Sequence, residues 1–154
     1  MSIPPTMKRQ IVERLYSEAL VLSDEVRAAF DQPGRFDDAG SQEDFARIAL
    51  SCEALRTTTR MMHATAWLLN HRAYYMGELS EFQLRRHGRL VRDLPDSNPD
   101  HRAFLGEETR RLIEATENFY ARLVRLDQSW RHCDPNQPSA IEKLRERLAS
   151  QMAG

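Results

Sequence analysis

The sequence predicts an all-α fold: an antiparallel three-helix bundle with a short extra helix and a mobile C-terminal tail. Three observations carry that expectation. Apolar residues recur at alternating spacings of three and four over three long stretches, the period of one helix face. Ala, Leu, Arg and Glu dominate, while Val and Ile are scarce and no long β-branched run occurs. At 154 residues the chain suits one domain with a core of its own. The expected division is a bundle over 1–132 and a tail over 133–154.

Pro4, Pro5 and Thr6 signal the first helix start, with Thr6 as a possible cap. Ile11, Leu15, Ala19, Leu22, Val26 and Ala29 form its apolar stripe, and Asp31-Gln32-Pro33-Gly34 ends it. Ser41 followed by Asp44 resembles a capping box opening a second, longer helix. Phe45, Ile48, Cys52, Leu55, Thr59, Met62, Ala66, Leu69, Ala73 and Met76 hold heptad spacing throughout and read as its core seam. Leu50, Ala54, Thr57, Met61 and Leu68 form a second stripe beside it. Two stripes make this helix central and leave the second as a candidate dimer contact. Trp67, beside the seam, reads as core. Gly77 is the natural C-cap.

Ser80-Glu81-Phe82-Gln83 is a capping box for a short helix to His87 or Gly88. Residues 94–99 read as a loop from which Pro99 opens the third long helix. Leu105, Thr109, Leu112, Thr116, Phe119, Leu123, Leu126 and Trp130 form its seam. Asp134-Pro135-Asn136-Gln137-Pro138 is a linker. Ser139-Ala140-Ile141-Glu142 is a further capping box, ahead of a small stripe of Ile141, Leu144, Leu148 and Met152. Such a short helix is marginal alone and gains by burying its stripe on the bundle or on a partner.

Composition excludes several classes. The formal net charge is -1, which counts against bulk attraction to nucleic acid or an anionic membrane. Lys8 and Lys143 are the only lysines among the 22 basic residues. Arginine suits protein interfaces, although a GC-rich genome gives the same skew. Cys52 and Cys133 stand far apart, so neither a disulfide framework nor a zinc ribbon is expected. The N-terminus lacks the apolar segment of a signal peptide, and Ala64 to Leu69 is too short to span a bilayer. The expected location is the cytoplasm.

Catalytic and metal patterns are missing. None of His63, His71, His87, His101 and His132 follows a Glu by three residues, so the di-iron bundle motif is absent. No His-Glu-x-x-His, phosphate-binding glycine loop or nucleophile elbow occurs. The expectation is a non-enzyme without cofactor or metal. The basic run Arg85-Arg86-His87-Gly88-Arg89-Leu90-Val91-Arg92 reads either as an anion-binding segment, even a DNA-binding one, or as a solvated loop paired with Glu78, Glu81 and Asp93. Tyr120, Arg122 and Arg125 are candidate partner contacts on the last long helix, with Ile141, Leu144 and Leu148 in the tail. Tyr120 serves equally well as cover for the bundle edge.

Four strings in order, Arg14-Leu15-Tyr16-Ser17-Glu18-Ala19, Ala66-Trp67-Leu68-Leu69 with Arg72-Ala73, Gly77-Glu78-Leu79, and Tyr120-Ala121-Arg122-Leu123-Val124-Arg125-Leu126-Asp127, resemble the alphaproteobacterial regulator of CtrA degradation family. The resemblance covers the first helix to Trp130 and does not extend past Cys133. It implies a dimeric three-helix adaptor that helps deliver cell-cycle substrates to the AAA+ unfoldase-protease ClpXP. It would act with ClpX and a response regulator, use a mobile C-terminal segment, and be recruited to a cell pole. A DNA-binding regulator using 80–92 and a purely structural dimerisation module are the alternatives.

Overall fold

The computed structural model describes residues 3–31, 41–132 and 140–153, with side chains throughout these except at 41–43, 132 and 140–143. The described residues are helical, with no strand among them: α1 Pro5–Phe30, α2 Ser41–Tyr75, α3 Glu81–His87, α4 Pro99–Arg102, α5 Glu107–His132 and α6 Ala140–Met152. The loop 32–40, the linker 133–139 and the side chains of the capping boxes expected at Ser41 and Ser139 lie outside the described residues.

Helix ends follow local chemistry. At α1 the cap is Pro4, with Pro5 in the first turn, and Thr6 lies inside the helix. Proline suits that turn because its N–H would have no partner there. Gly77 ends α2 at φ 80°; the Glu78 N–H donates to Ala73 O at 2.9 Å and the Gly77 N–H to Tyr74 O at 3.1 Å. These two bonds are a Schellman closure, which favours glycine. Ser80 and Gln83 form both halves of the α3 capping box. Pro99 opens one turn only. The chain breaks at 103–106, and the third long helix starts at Glu107, where the Gly106 carbonyl accepts from the Arg110 N–H.

Helices α1, α2 and α5 pack pairwise. Val12, Leu15, Ala19, Leu22 and Val26 of α1 meet Met61, Ala64, Trp67 and Leu68 of α2 and Phe119, Tyr120 and Leu123 of α5. Lys8 lies over the Trp130 ring and Glu18 bonds Arg122, so α1 is antiparallel to α5, as expected. The antiparallel expectation does not extend to α2 and α5. Arg60 meets Thr116 and Trp67 meets Asp127, so these two run in the same direction. Residues 76–106 must therefore return the chain along the bundle, and α3 and α4 are parts of that return.

Polar groups hold the return segment at one end. Glu53, fully buried, accepts from Arg56 Nη1 at 2.7 Å and the Asn98 N–H at 3.0 Å, and its Oε1 lies 3.1 Å from His101 Nδ1. Arg60 donates to Thr116 Oγ1 at 3.0 Å and Pro95 O at 3.3 Å, with Glu117 at 3.9 Å. Burial lowers the Arg60 pKa, and Glu117 opposes that shift.

Candidate protein-interaction surfaces

The two stripes of α2 are placed opposite to the sequence reading. Thr57, Met61 and Leu68 of the second stripe are buried, and Leu50 and Ala54 are half-buried. The heptad seam expected in the core faces outward instead. Leu55 is 70% exposed, Met62 62%, Ile48 57% and Leu69 45%. Met76 and Phe45 are exposed too, with Cys52, Thr59 and Ala73 half-buried between them. The reason lies on the inner face. Glu53, Arg60 and His71 occupy buried positions there, each placed by neighbours remote in sequence, and Thr57 is buried on the same face. The face with the longer apolar run is thus left largely uncovered by the described residues. At its N-terminal end Phe45 packs on Phe104 with ring centroids 4.9 Å apart, which extends the patch onto the return segment.

On α5 the candidate residues separate. Tyr120 is buried, and its hydroxyl donates to Val91 O. Burial pushes its pKa up to about 12, so it remains a donor. Its place is inside the bundle edge, and it is not available as a contact residue. Arg122 is half-exposed, paired with Glu18 and over the Phe119 ring at 5.3 Å. Arg125 is exposed and has no ion-pair partner among the described residues. In α6 Leu144 and Leu148 are exposed, as is Met152; the Ile141 side chain lies outside the described ones.

The basic segment is a strap against α5. Arg131 Nη1 donates to Arg85 O at 3.4 Å, and Tyr120 holds Val91 O. Leu90 is in the core, and a Cβ on the buried Gly88 would meet Leu84 O at 2.5 Å. Arg85 pairs with Glu81, as the solvated-loop reading requires. Arg86, Arg89 and Arg92 are exposed and take no hydrogen bond or ion pair among the described residues.

Trp67 is core, as expected. It stacks on Trp130 with centroids 5.6 Å apart and donates to Asp127 Oδ1 at 3.0 Å. His71 packs against both tryptophans, and burial lowers its pKa to about 4. Among the described residues no group of three or more His, Cys, Asp or Glu is placed to hold a metal ion. Two shallow depressions lie on α1 around Leu20, Val21 and Glu25, one of them reaching Ala115. No helix among the described residues is long and apolar enough to cross a membrane.

A family model described as "Protein of unknown function (DUF1465)" matches residues 3–152. No curated protein and no solved structure matches the chain.

Proposed function

Given that the chain belongs to the DUF1465 family, we propose that it is a non-enzymatic adaptor, paired with a second copy through the outer seam of α2, that helps deliver protein substrates to ClpXP. The observation that carries the proposal is the solvent-facing heptad seam from Phe45 to Met76. A stripe at that spacing is complementary to another copy of itself. Covering its large side chains contributes on the order of 1 kcal/mol each. Phe45, Ile48, Leu55, Met62, Leu69 and Met76 from both copies then give about 12 kcal/mol, and an association cost near the low end of the roughly 4–15 kcal/mol range leaves about the 8 kcal/mol that a micromolar dimer needs. The exposed Leu144 and Leu148 on α6 supply a second surface, suited to transient capture. The unfoldase rests on the resemblance to the regulator of CtrA degradation family, in which cell-cycle control, a priming response regulator, a cytoplasmic setting and polar recruitment accompany it.

Sedimentation and a tagged pull-down test the proposal together. The full chain should sediment as a dimer at micromolar concentration and recover ClpX or a response regulator from nuclease-treated extract. Leu55→Asp with Met62→Asp should give a folded monomer, since both side chains point to solvent within one copy. Deleting 139–154 should leave the dimer intact and reduce substrate recovery. A wild-type monomer would remove the seam's role, and a dimer recovering neither partner would remove ClpXP delivery.

A further inference from the structure

The strap at 85–92 names the chemistry of a partner, an inference that rests on the protein-binding reading above. Its backbone is fixed at both ends on α5, by Arg131 at Arg85 and by Tyr120 at Val91. Leu90 points into the core, and Gly88 is buried with the Leu84 carbonyl of α3 standing where a side chain would begin. The backbone of the segment is therefore held in one shape, and a ligand has only the arginine side chains to order there. That shape turns Arg86, Arg89 and Arg92 to solvent without a carboxylate partner among the described residues, although Glu78 and Asp93 are close in sequence and exposed. Apolar surface lies among them. Phe82, one turn before Arg86 on α3, is 71% exposed, and Val91 is exposed between Arg89 and Arg92.

Charge at the two ends decides the class of ligand. Glu78 and Glu81 precede the arginines, and Asp93 and Asp96 follow them. These four carboxylates match the four arginines in number, so the stretch as a whole is neutral. A nucleic acid strand tracking along the surface would run from the arginines onto carboxylates at either end, losing the phosphate contacts that give it affinity. A short segment carrying two or three carboxylates fits between them. Each guanidinium offers a planar fork to a carboxylate, and Phe82 and Val91 offer cover to an apolar side chain. We propose that residues 82–92 form a docking surface for a short acidic segment of a partner protein, one that interleaves carboxylates with apolar residues.

Selection from a displayed library of random peptides of about 12 residues, enough to span the at most about 20 Å that six residues put between Arg86 and Arg92 with ends to spare, tests this on the full chain. Recovered peptides should combine Asp or Glu with Leu, Ile or Phe. Their affinity should fall at least about tenfold on a protein carrying Arg86→Glu, Arg89→Glu and Arg92→Glu. The melting temperature and the sedimentation coefficient of that variant should match the parent, because none of the three side chains is packed or paired. Peptides without acidic enrichment, acidic peptides that bind the variant equally well, or a DNA duplex of about 20 base pairs that competes more strongly than the peptides would each overturn the proposal. Sedimentation of the same samples separates the two readings. A dimer with no acidic peptides loses the strap alone, and a monomer that still selects them loses the seam alone.

Discussion

His71 is the residue whose protonation the fold resists most clearly. Its ring packs against both Trp67 and Trp130 and its pKa falls to about 4, from an ordinary value of 6.5, because burial disfavours the cation. Unfolding restores the ordinary value, so below about pH 6.5 the unfolded chain binds the extra proton and stability drops as pH falls. The loss ends near pH 4, where both states are protonated. By about pH 5 it should amount to roughly 2 kcal/mol relative to pH 7. Urea melts at the two pH values should show that difference for the parent, and His71→Phe, which keeps a flat ring in the stack, should lack it. Glu53 makes the converse case. Its carboxylate is fully buried, and one oxygen serves Arg56, Asn98 and His101. Removing it leaves those groups without their acceptor, so Glu53→Ala should cost about 3 kcal/mol in a urea melt. Glu53→Gln, which retains an acceptor oxygen, should cost less. Neither residue was legible as buried in the sequence. Burial of a polar side chain is decided by partners, and two of the three that Glu53 has, Asn98 and His101, lie more than 40 positions away. Trp67 was legible because a large apolar ring beside a helical stripe is nearly always covered.

At the scale of elements, sequence periodicity located the helices and did not orient all of them. The stripes of α1 and α5 point inward as read, since each has one apolar face and nothing competes with it. Helix α2 has two. Heptad regularity favoured Phe45 to Met76, yet regularity signals a helix partner without saying whether that partner is in the same chain. The inner face was assigned by α1 and α5, whose side chains fit Met61, Ala64, Trp67 and Leu68. The start of the short helix α3 was legible because its signal is local, a serine and a glutamine three apart, and its end at His87 is one of the two positions read for it. The third long helix was placed early for the opposite reason. Pro99 does start a helical turn, but Gly106 starts the one that lasts. Among the candidate contacts, Tyr120 was ambiguous since its ring suits either side of a bundle edge. The Val91 carbonyl that decides its direction is 29 positions away.

For the molecule as a whole, the number of long helices was legible and the relative sense of α2 and α5 was not. Short connections make antiparallel neighbours, and the sequence shows no reason for α5 to lie parallel to α2. The reason is the return segment at 76–106, which is stapled to α2 and α5 by Glu53, Arg60 and Glu117. That parallel pairing has a kinetic consequence. Helices α1 and α2 meet across one neighbouring connection, whereas α5 reaches its place on α2 only after some thirty residues have been gathered and fixed. Chain closure of that kind lowers the folding rate and favours forming the nearer pair first. Truncations on the α1–α2 contact, such as Leu22→Ala and Leu68→Ala, should then slow refolding in stopped-flow chevrons. Leu123→Ala on α5 should chiefly speed unfolding, and equal effects on refolding from all three would contradict that order. On a ribosome the same order is also the order of synthesis. The first pair of helices would be complete before α5 emerges, and during that interval the surface kept for α5 would stand open, its Arg60 and Trp67 exposed beside the outer stripe.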